Sequence, residues 1–250
     1  MSGHSKWASI KHKKGAADAK RGKIFTKIIR EIAVAARAGG GDPDKNPRLR
    51  TAIQTAKNAN MPADNVKRAI LKGTGQIEGV QYEEVIYEGY GPGGVAIYIT
   101  ALSDNKNRTV SEIRHIFVKN GGQIGTQGCV GFRFKRGGYI DIDKDKANEE
   151  QLMDIALTAG ADDIKDDGDT WEVISTPEKY EAILEAIKAA GIEVADSSVG
   201  YIPLDTTKVE GKQAHQALKL VEELEDHDDV QNVSANFDID AKDIAEYEAS

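Results

Sequence analysis

The apolar residues of this chain change their period near residue 79, and that change restricts the fold more than any other feature. Before it they recur at helical spacing; after it they gather into short β-rich runs bounded by glycines, which excludes a uniform all-helical or all-sheet fold. Over residues 17–38, at about 100° per residue, Ile24, Phe25, Ile28, Ile29, Ile32 and Ala36 share one face, and Lys20, Lys23, Lys27, Arg30 and Arg37 take the opposite, wet one. Gly39-Gly40-Gly41-Asp42-Pro43 ends that helix, and Asn46-Pro47 supplies a cap and first-turn residue for the next. Leu49, Ala52, Ile53 and Ala56 form the apolar side of the second helix. A third begins at Pro62, packs Val66, Ala69 and Ile70, and stops at Gly73. The expectation is a three-helix bundle preceded by an extended arm, residues 1–16.

Gly73 to Gly79 reads as a linker. Beyond it, Tyr82–Tyr90 and Val95–Leu102 are strands joined by a hairpin at Gly91-Pro92-Gly93-Gly94. A helix carrying Val110, Ile113, Ile116 and Phe117 follows. Next come a strand through Val130, Phe132 and Phe134, a break at Gly137-Gly138, and a strand over Tyr139–Asp143. From there the pattern runs helix 147–159, strand 162–166, hairpin at Asp167-Gly168-Asp169, strand 170–174, helix 177–190 opened by Thr176-Pro177, and strand 192–200. That is the β-α-β-β-α-β order of a ferredoxin-like sandwich. The tail offers a helix over 211–226 and a strand over 230–239, too little for a core of its own, so it is expected to complete the β-β-α-β sheet of residues 82–135. The fold class expected is multi-domain, α and α+β. Its parts are a basic helical bundle with its arm over 1–78, a discontinuous α+β domain over 79–135 and 204–250, and an inserted ferredoxin-like α+β domain over 136–203.

Charge divides the chain in nearly the same places. The first thirty residues hold nine Lys and Arg against one acid, Asp18, although the chain of 250 residues carries a net charge of −8. Residues 1–79 hold 17 basic and 6 acidic side chains, residues 80–143 hold seven of each, and the remaining acidic excess, a net −19, lies in residues 144–250. A basic segment on an acidic protein points to a polyanionic partner. The single cysteine, Cys129, excludes an internal disulfide. The N-terminus has no apolar stretch behind its charges, and no run approaches the roughly 18 apolar residues of a spanning helix. A cytoplasmic protein with no membrane partner is expected.

The arm interleaves Lys6, Lys11, His12, Lys13 and Lys14 with Trp7. Lysine and arginine release condensed counterions from phosphate, and an aromatic ring can stack on a base. Together with Lys20, Arg21, Lys23, Lys27 and Arg30 on the first helix, these are the candidate nucleic-acid-binding residues. The alternative for the arm is a soluble tail whose Trp7 packs on the bundle. None of these residues spells a base-reading code. Lys106 and Arg108, in Asp104-Asn105-Lys106-Asn107-Arg108, offer a second set of phosphate contacts, whereas Asp104-Asn105 alone reads as a helix cap.

Signals for catalysis are weak. Gly89 to Gly94 joins two strands instead of opening a helix, unlike a dinucleotide loop. Gly121 to Gly128 could cradle a phosphate through its amides but lacks a Gly-Lys-Ser/Thr ending, and Asp163 to Gly168 fails the calcium-loop pattern at Lys165 and Ile174. His4, His12, His115, His215 and His227 have no paired metal spacing. The acidic run Glu222 to Asp229 reads as a solvated helix end. The expectations are no catalytic residue, no metal site, no cofactor and no small-molecule substrate.

Several long runs carry a family resemblance: Gly3 to Lys27 (GHSKWASIKHKKGAADAKRGKIFTK), Asn60 to Asn65, Tyr87 to Gly94, and Asp104 to Thr109. They closely resemble the signatures of the YebC family. The resemblance implies three domains, a helical N-terminal one and an inserted ferredoxin-like one among them. It also implies a cytoplasmic, non-enzymatic transcriptional regulator that binds DNA. A competing role follows from the same resemblance, since mitochondrial relatives activate translation of cytochrome c oxidase and bacterial ones are linked to relief of ribosome stalling at proline runs. In that alternative the same cations grip ribosomal RNA and the acidic modules meet the ribosome's cationic proteins or other protein partners. The net −19 beyond residue 79 favours such a mixed surface over a long uniform duplex.

Overall fold

The computed structural model describes residues 17–249, with residues 167 and 169 excepted, and side chains from Arg21 onward, that of Glu248 excepted. Three helices open it: α1 (Ala17–Gly39), α2 (Pro47–Asn58) and α3 (Ala63–Gly73). Ile28, Ile32, Ala35, Ala36, Leu49, Ala52, Ala56, Met61 and Ala69 form their common core, flanked by half-buried Phe25 and Ile29. Ile24 lies beyond that core and is exposed. Small residues set how closely α1 and α3 cross: a Cβ on Gly73 would stand 2.3 Å from the Ala33 carbonyl oxygen and 2.9 Å from Ala36 Cβ. Asn46 ties the bundle internally. Its Oδ1 accepts from the Leu49 amide, capping α2, while Nδ2 donates to the carbonyls of Ala35 and Gly40, each at 2.8 Å. Asn46 is buried, so Asn46→Ala should cost about 2 kcal/mol, one cap plus two buried acceptors left unpaired. Chemical denaturation, read by far-ultraviolet circular dichroism, checks this.

The second layered unit is an antiparallel sheet of order β3-β1-β2-β9, formed by Gln123–Ile124, Glu83–Tyr90, Ala96–Ser103 and Val230–Ala235. β1 and β2 pair from Glu83 with Ser103 to Tyr90 with Ala96 across the expected hairpin. Helices α4 (Lys106–Lys119) and α7 (Gly211–Glu225) cover one face, burying Ile97, Ile99, Ile113, Phe117, Leu218 and Leu224 among others. The tail strand thus pairs directly with β2. The last helix, α8 (Ala241–Glu248), was not legible in the sequence; Tyr247 is buried with this core and Ile244 packs against it.

The chain between them differs from expectation at one point. No strand covers 130–133. Residues Gly131–Arg133 form a 3-10 turn, and a single strand β4, Phe134–Asp143, runs through Gly137-Gly138 without a break. The reason is packing: a Cβ on Gly138 would lie 2.7 Å from the Tyr180 ring, and one on Gly137 2.9 Å from the Ser175 carbonyl oxygen and from Ile202. These glycines mark a close approach within a strand, not a turn. β4 joins β5 (Asp163–Asp166), β6 (Thr170–Ser175) and β7 (Asp196–Pro203) in an antiparallel sheet of order β5-β6-β4-β7. Helices α5 (Glu149–Ala159) and α6 (Tyr180–Ala189) bury Leu152, Ala156, Ile183 and Ile187 against Ile140, Ile142 and Val173. A two-residue parallel pair, β8 (Thr207–Lys208) with β10 (Phe237–Asp238), completes the strands among the described residues.

Candidate nucleic-acid interface

The helical wheel places Lys23, Lys27 and Arg30 on a wet face; Lys23 is exposed there, whereas Lys27 and Arg30 are half-buried. All three reach across to the turn that follows α7. Lys23 Nζ donates to the Asp226 carbonyl at 3.1 Å and lies 3.8 Å from the Asp226 carboxylate. Lys27 Nζ donates to the Glu225 carbonyl at 2.5 Å, and Arg30 Nη1 to the Asp228 carbonyl at 2.7 Å. The C-terminal end of a helix presents unpaired carbonyls and a partial negative charge, so lysines and arginines suit it. The acidic run Glu222 to Asp229, read from the sequence as solvated, is in part an internal docking site for the basic face of α1.

Asp229 is the centre of this contact. Its side chain is 2% exposed and takes Arg30 Nη1 at 2.5 Å on Oδ1, with Arg108 Nη2 and Thr109 Oγ1 each at 2.6 Å on Oδ2. Burial by itself raises the pKa of this carboxyl, but the hydrogen bonds from Thr109, Arg108 and Arg30 outweigh it and hold the group below the ordinary aspartate value. Arg30 also lies over the Tyr82 ring, 5.1 Å from its centroid. Arg48, on α2, bridges Glu31 and Glu84. The bundle is therefore joined to the β1–β2 sheet by paired charges. Beside the clamp lies a cleft of about 730 Å³ lined by Lys23, Arg30, Arg108, Glu112, His115 and His227.

The proposed second set fares similarly. Asn105 caps α4, accepting from the Arg108 amide at 3.1 Å, as its capping reading expected. Lys106 pairs with Glu83 at 2.5 Å, and Arg108 with Asp104 and Asp229. Both arginine and lysine thus face acids of this chain, with Lys106 and Arg108 still 54% and 41% exposed. Arg21 remains exposed, its guanidinium 5.9 Å from the Phe25 ring centroid. Lys6, Trp7, Lys11, His12, Lys13, Lys14 and the Lys20 side chain lie outside the described residues.

Other cations, which the wheel of α1 could not reveal, are better placed for a partner. Lys57 on α2 and Lys67, Arg68 and Lys72 on α3 are exposed. None makes an ion pair within 4.0 Å with a described acid. Arg68 and Lys72 are four residues apart and share a helix face. A helical wheel of residues 63–73 would have found them.

The Gly121 to Gly128 segment is also settled by tertiary contacts. Glu88, 5% exposed, accepts hydrogen bonds from the amides of Gly128 at 2.7 Å, Val130 at 2.8 Å and Gly131 at 2.7 Å. One amide of that segment, Gly128, and two just beyond it thus hold a carboxylate of the protein itself. Cys129, in the same loop, has its thiol pKa pushed up by burial and by Glu88, which disfavours the reactive thiolate.

Tertiary folding assembles two His and carboxylate groups that sequence spacing did not suggest: Glu112 with His227 and Asp229, and His215 with Asp243 and Glu246. In the first, His227 Nδ1 accepts from the Asp229 amide, so Nε2 carries the proton that faces Glu112 at 2.9 Å when the ring is neutral. In this group the Asp229 carboxylate is already taken by two guanidiniums. In the second, Asp243 accepts from the Gly211 amide at 2.9 Å, and Glu246 faces Lys242 at 3.8 Å.

Two family models account for most of the sequence: one described as the TACO1/YebC protein N-terminal domain matches residues 5–76, and one described as the TACO1/YebC second and third domain matches residues 82–237. The chain belongs to the TACO1/YebC family. Among its relatives is a probable transcriptional regulatory protein of Solibacter usitatus, 57% identical over 244 residues that span 98% of each chain. Another, with the same description, from Desulfatibacillum aliphaticivorans, is 59% identical over 96% of this chain and 97% of its own. The crystal structure of a conserved hypothetical protein from Aquifex aeolicus superposes with a TM-score of 0.80 at 46% identity, covering 89% of this chain and 92% of the other. The TACO1/YebC resemblance read from the sequence is thereby established, and the mixed α/β fold with antiparallel sheets is that of a solved relative. No helix among the described residues is long and apolar enough to cross a membrane.

Proposed function

We propose that this chain is a non-enzymatic, cytoplasmic, nucleic-acid-binding regulator of gene expression that acts as a DNA-binding transcriptional regulator. The observation that carries the reading is the charge of the N-terminal module: it is strongly basic by sequence, and Lys57, Lys67, Arg68 and Lys72 are exposed and make no ion pair within 4.0 Å with a described acid. Relatives named as probable transcriptional regulatory proteins support it. In this reading the bundle and arm, residues 1–78, grip the phosphates. The sheet module of 79–135 and 204–250, with the 136–203 module inserted, positions the grip. Arg21 and the arm residues extend the contact; Lys23, Lys27 and Arg30 join it only where they leave the turn after α7.

The triple variant Lys67→Glu, Arg68→Glu, Lys72→Glu should lose duplex affinity by roughly tenfold or more at low salt, with the circular dichroism spectrum unchanged, since all three are exposed. If about six phosphates are contacted, log affinity should fall against log salt with a slope of about −5. A flat salt response or an unaltered affinity in the triple variant rejects the reading. The acidic excess beyond residue 79 favours a second reading, a translation factor on ribosomal RNA. Crosslinking in growing cells separates the two: discrete genomic DNA supports transcription, ribosomal RNA supports translation.

A further inference from the structure

An aromatic ring stands exposed on a loop that the protein has gone to some length to immobilise. Phe132 is 73% exposed, while Val130 and Phe134 on either side are buried with Tyr98. These anchors hold the 3-10 turn Gly131–Arg133 and leave its middle side chain outward. Below it the Glu88 carboxylate gathers three amides of the loop, and the Tyr90 hydroxyl donates to the Cys129 carbonyl at 2.9 Å. On the other side Arg133 is fixed to Asp205 by Nε at 3.0 Å and Nη2 at 2.7 Å. Asp205 is in turn held by Asn236 Nδ2 at 2.8 Å. Leu204, 63% exposed, donates its amide to the Arg133 carbonyl at 2.8 Å, so a second exposed apolar residue is tied to the same turn.

A buried charge and a network of hydrogen bonds are unnecessary for a plain connecting loop. They suit one whose shape must be kept before a partner arrives, because ordering it in advance lowers the entropy lost on binding. Two cations follow on β4, Lys135 and Arg136, three and four residues beyond Phe132. Both are exposed, and neither makes an ion pair within 4.0 Å with a described acid, although Arg136 lies within electrostatic reach of Glu178. Adjacent residues of a strand project to opposite faces, so one of the two shares the side of the ring, and an outward aromatic with a cation a short way along the chain fits a base and a flanking phosphate. Bases inside a duplex are already stacked and closed to a side chain from outside; unpaired bases, found mostly in RNA loops and single strands, are open to one.

We propose that Phe132, on a turn tied to Leu204 and leading into Lys135 and Arg136, is a stacking platform for an unpaired base of RNA. It rests on the reading that this chain binds nucleic acid and adds a contact distant in sequence from the basic bundle. The test uses the full chain and a short unstructured RNA oligonucleotide, with duplex DNA in parallel. Phe132→Ala should lower RNA affinity by roughly tenfold and leave duplex affinity unchanged. Phe132→Trp should restore RNA binding, and its added indole emission should be quenched on titration with the RNA. Full RNA affinity in Phe132→Ala, or an equal loss on RNA and duplex, would overturn the platform. The failure of the bundle reading is separable, since it shows as normal duplex affinity in the Lys67, Arg68, Lys72 triple variant. A protein partner at this patch would appear as RNA binding indifferent to Phe132, which also overturns it.

Discussion

Replacing Asp229 by alanine should lower the stability of the folded chain by about 3–5 kcal/mol, the usual cost of removing one side of a buried ion pair. The carboxylate meets two guanidiniums and a threonine hydroxyl at 2.5–2.6 Å, and Arg30, only 13% exposed, would be left without its carboxylate partner. Because Arg30 belongs to α1 and Arg108 to α4, the loss falls on the contact between the bundle and the sheet module. Limited proteolysis should therefore cut the 74–82 connection faster in Asp229→Ala than in the parent chain, and urea unfolding should shift to lower concentration. The pH dependence has a definite sign. Asp229 titrates below its unfolded value of about 3.9, so its contribution is fully present above that pH and is lost as the pH falls through the folded value. The parent chain should lose this increment on acidification, and Asp229→Ala should not. Equal acid sensitivity in the two proteins would exclude the clamp as a source of stability. The same contact means that reversing the charge of Lys23, Lys27 and Arg30 disturbs the docking of the bundle as well as any phosphate contact.

Glu88→Ala is the second large effect expected, a loss of about 3 kcal/mol, because three amide donors lose a charged acceptor at once. Glu88→Gln keeps one acceptor oxygen but turns an NH2 group towards amides that can only donate, so it should recover less than half of the loss. Amide hydrogen exchange is the discriminating measurement. Residues 125–131 should exchange much faster in Glu88→Ala, while the buried strand β2 should change only by the global loss. Unchanged exchange in that loop would show that the carboxylate does not set its shape.

How far the sequence reaches can be judged from individual residues. Asn46 and Asn105 act within a few residues of their own position, each as a helix cap, and such local roles are written in spacing and side-chain type. The strand and helix order from Tyr139 through β7 was legible for the same reason. Gly137-Gly138 was misread because a glycine pair in a turn and one in a crowded strand look alike until the Tyr180 ring is placed above it. Ile24 shares the apolar face of α1 by its phase on the wheel, yet among the described residues nothing covers it and it stands 49% exposed. Phase says which way a side chain faces but not whether anything is there.

By itself the sequence determined the helical and β-rich halves, the family, and the concentration of positive charge in the first 79 residues, since all of these follow from local periodicity and composition. Only the tertiary structure decided which of those charges remain available. Arg30 and Asp229 are separated by 199 residues, and so is the fate of each from any local signal. The fold brings a helix C-terminus and its acidic turn to within hydrogen-bonding distance of the basic face of α1. Lys23, Lys27 and Arg30 thereby become internal contacts, and quieter cations on α3 are left facing solvent.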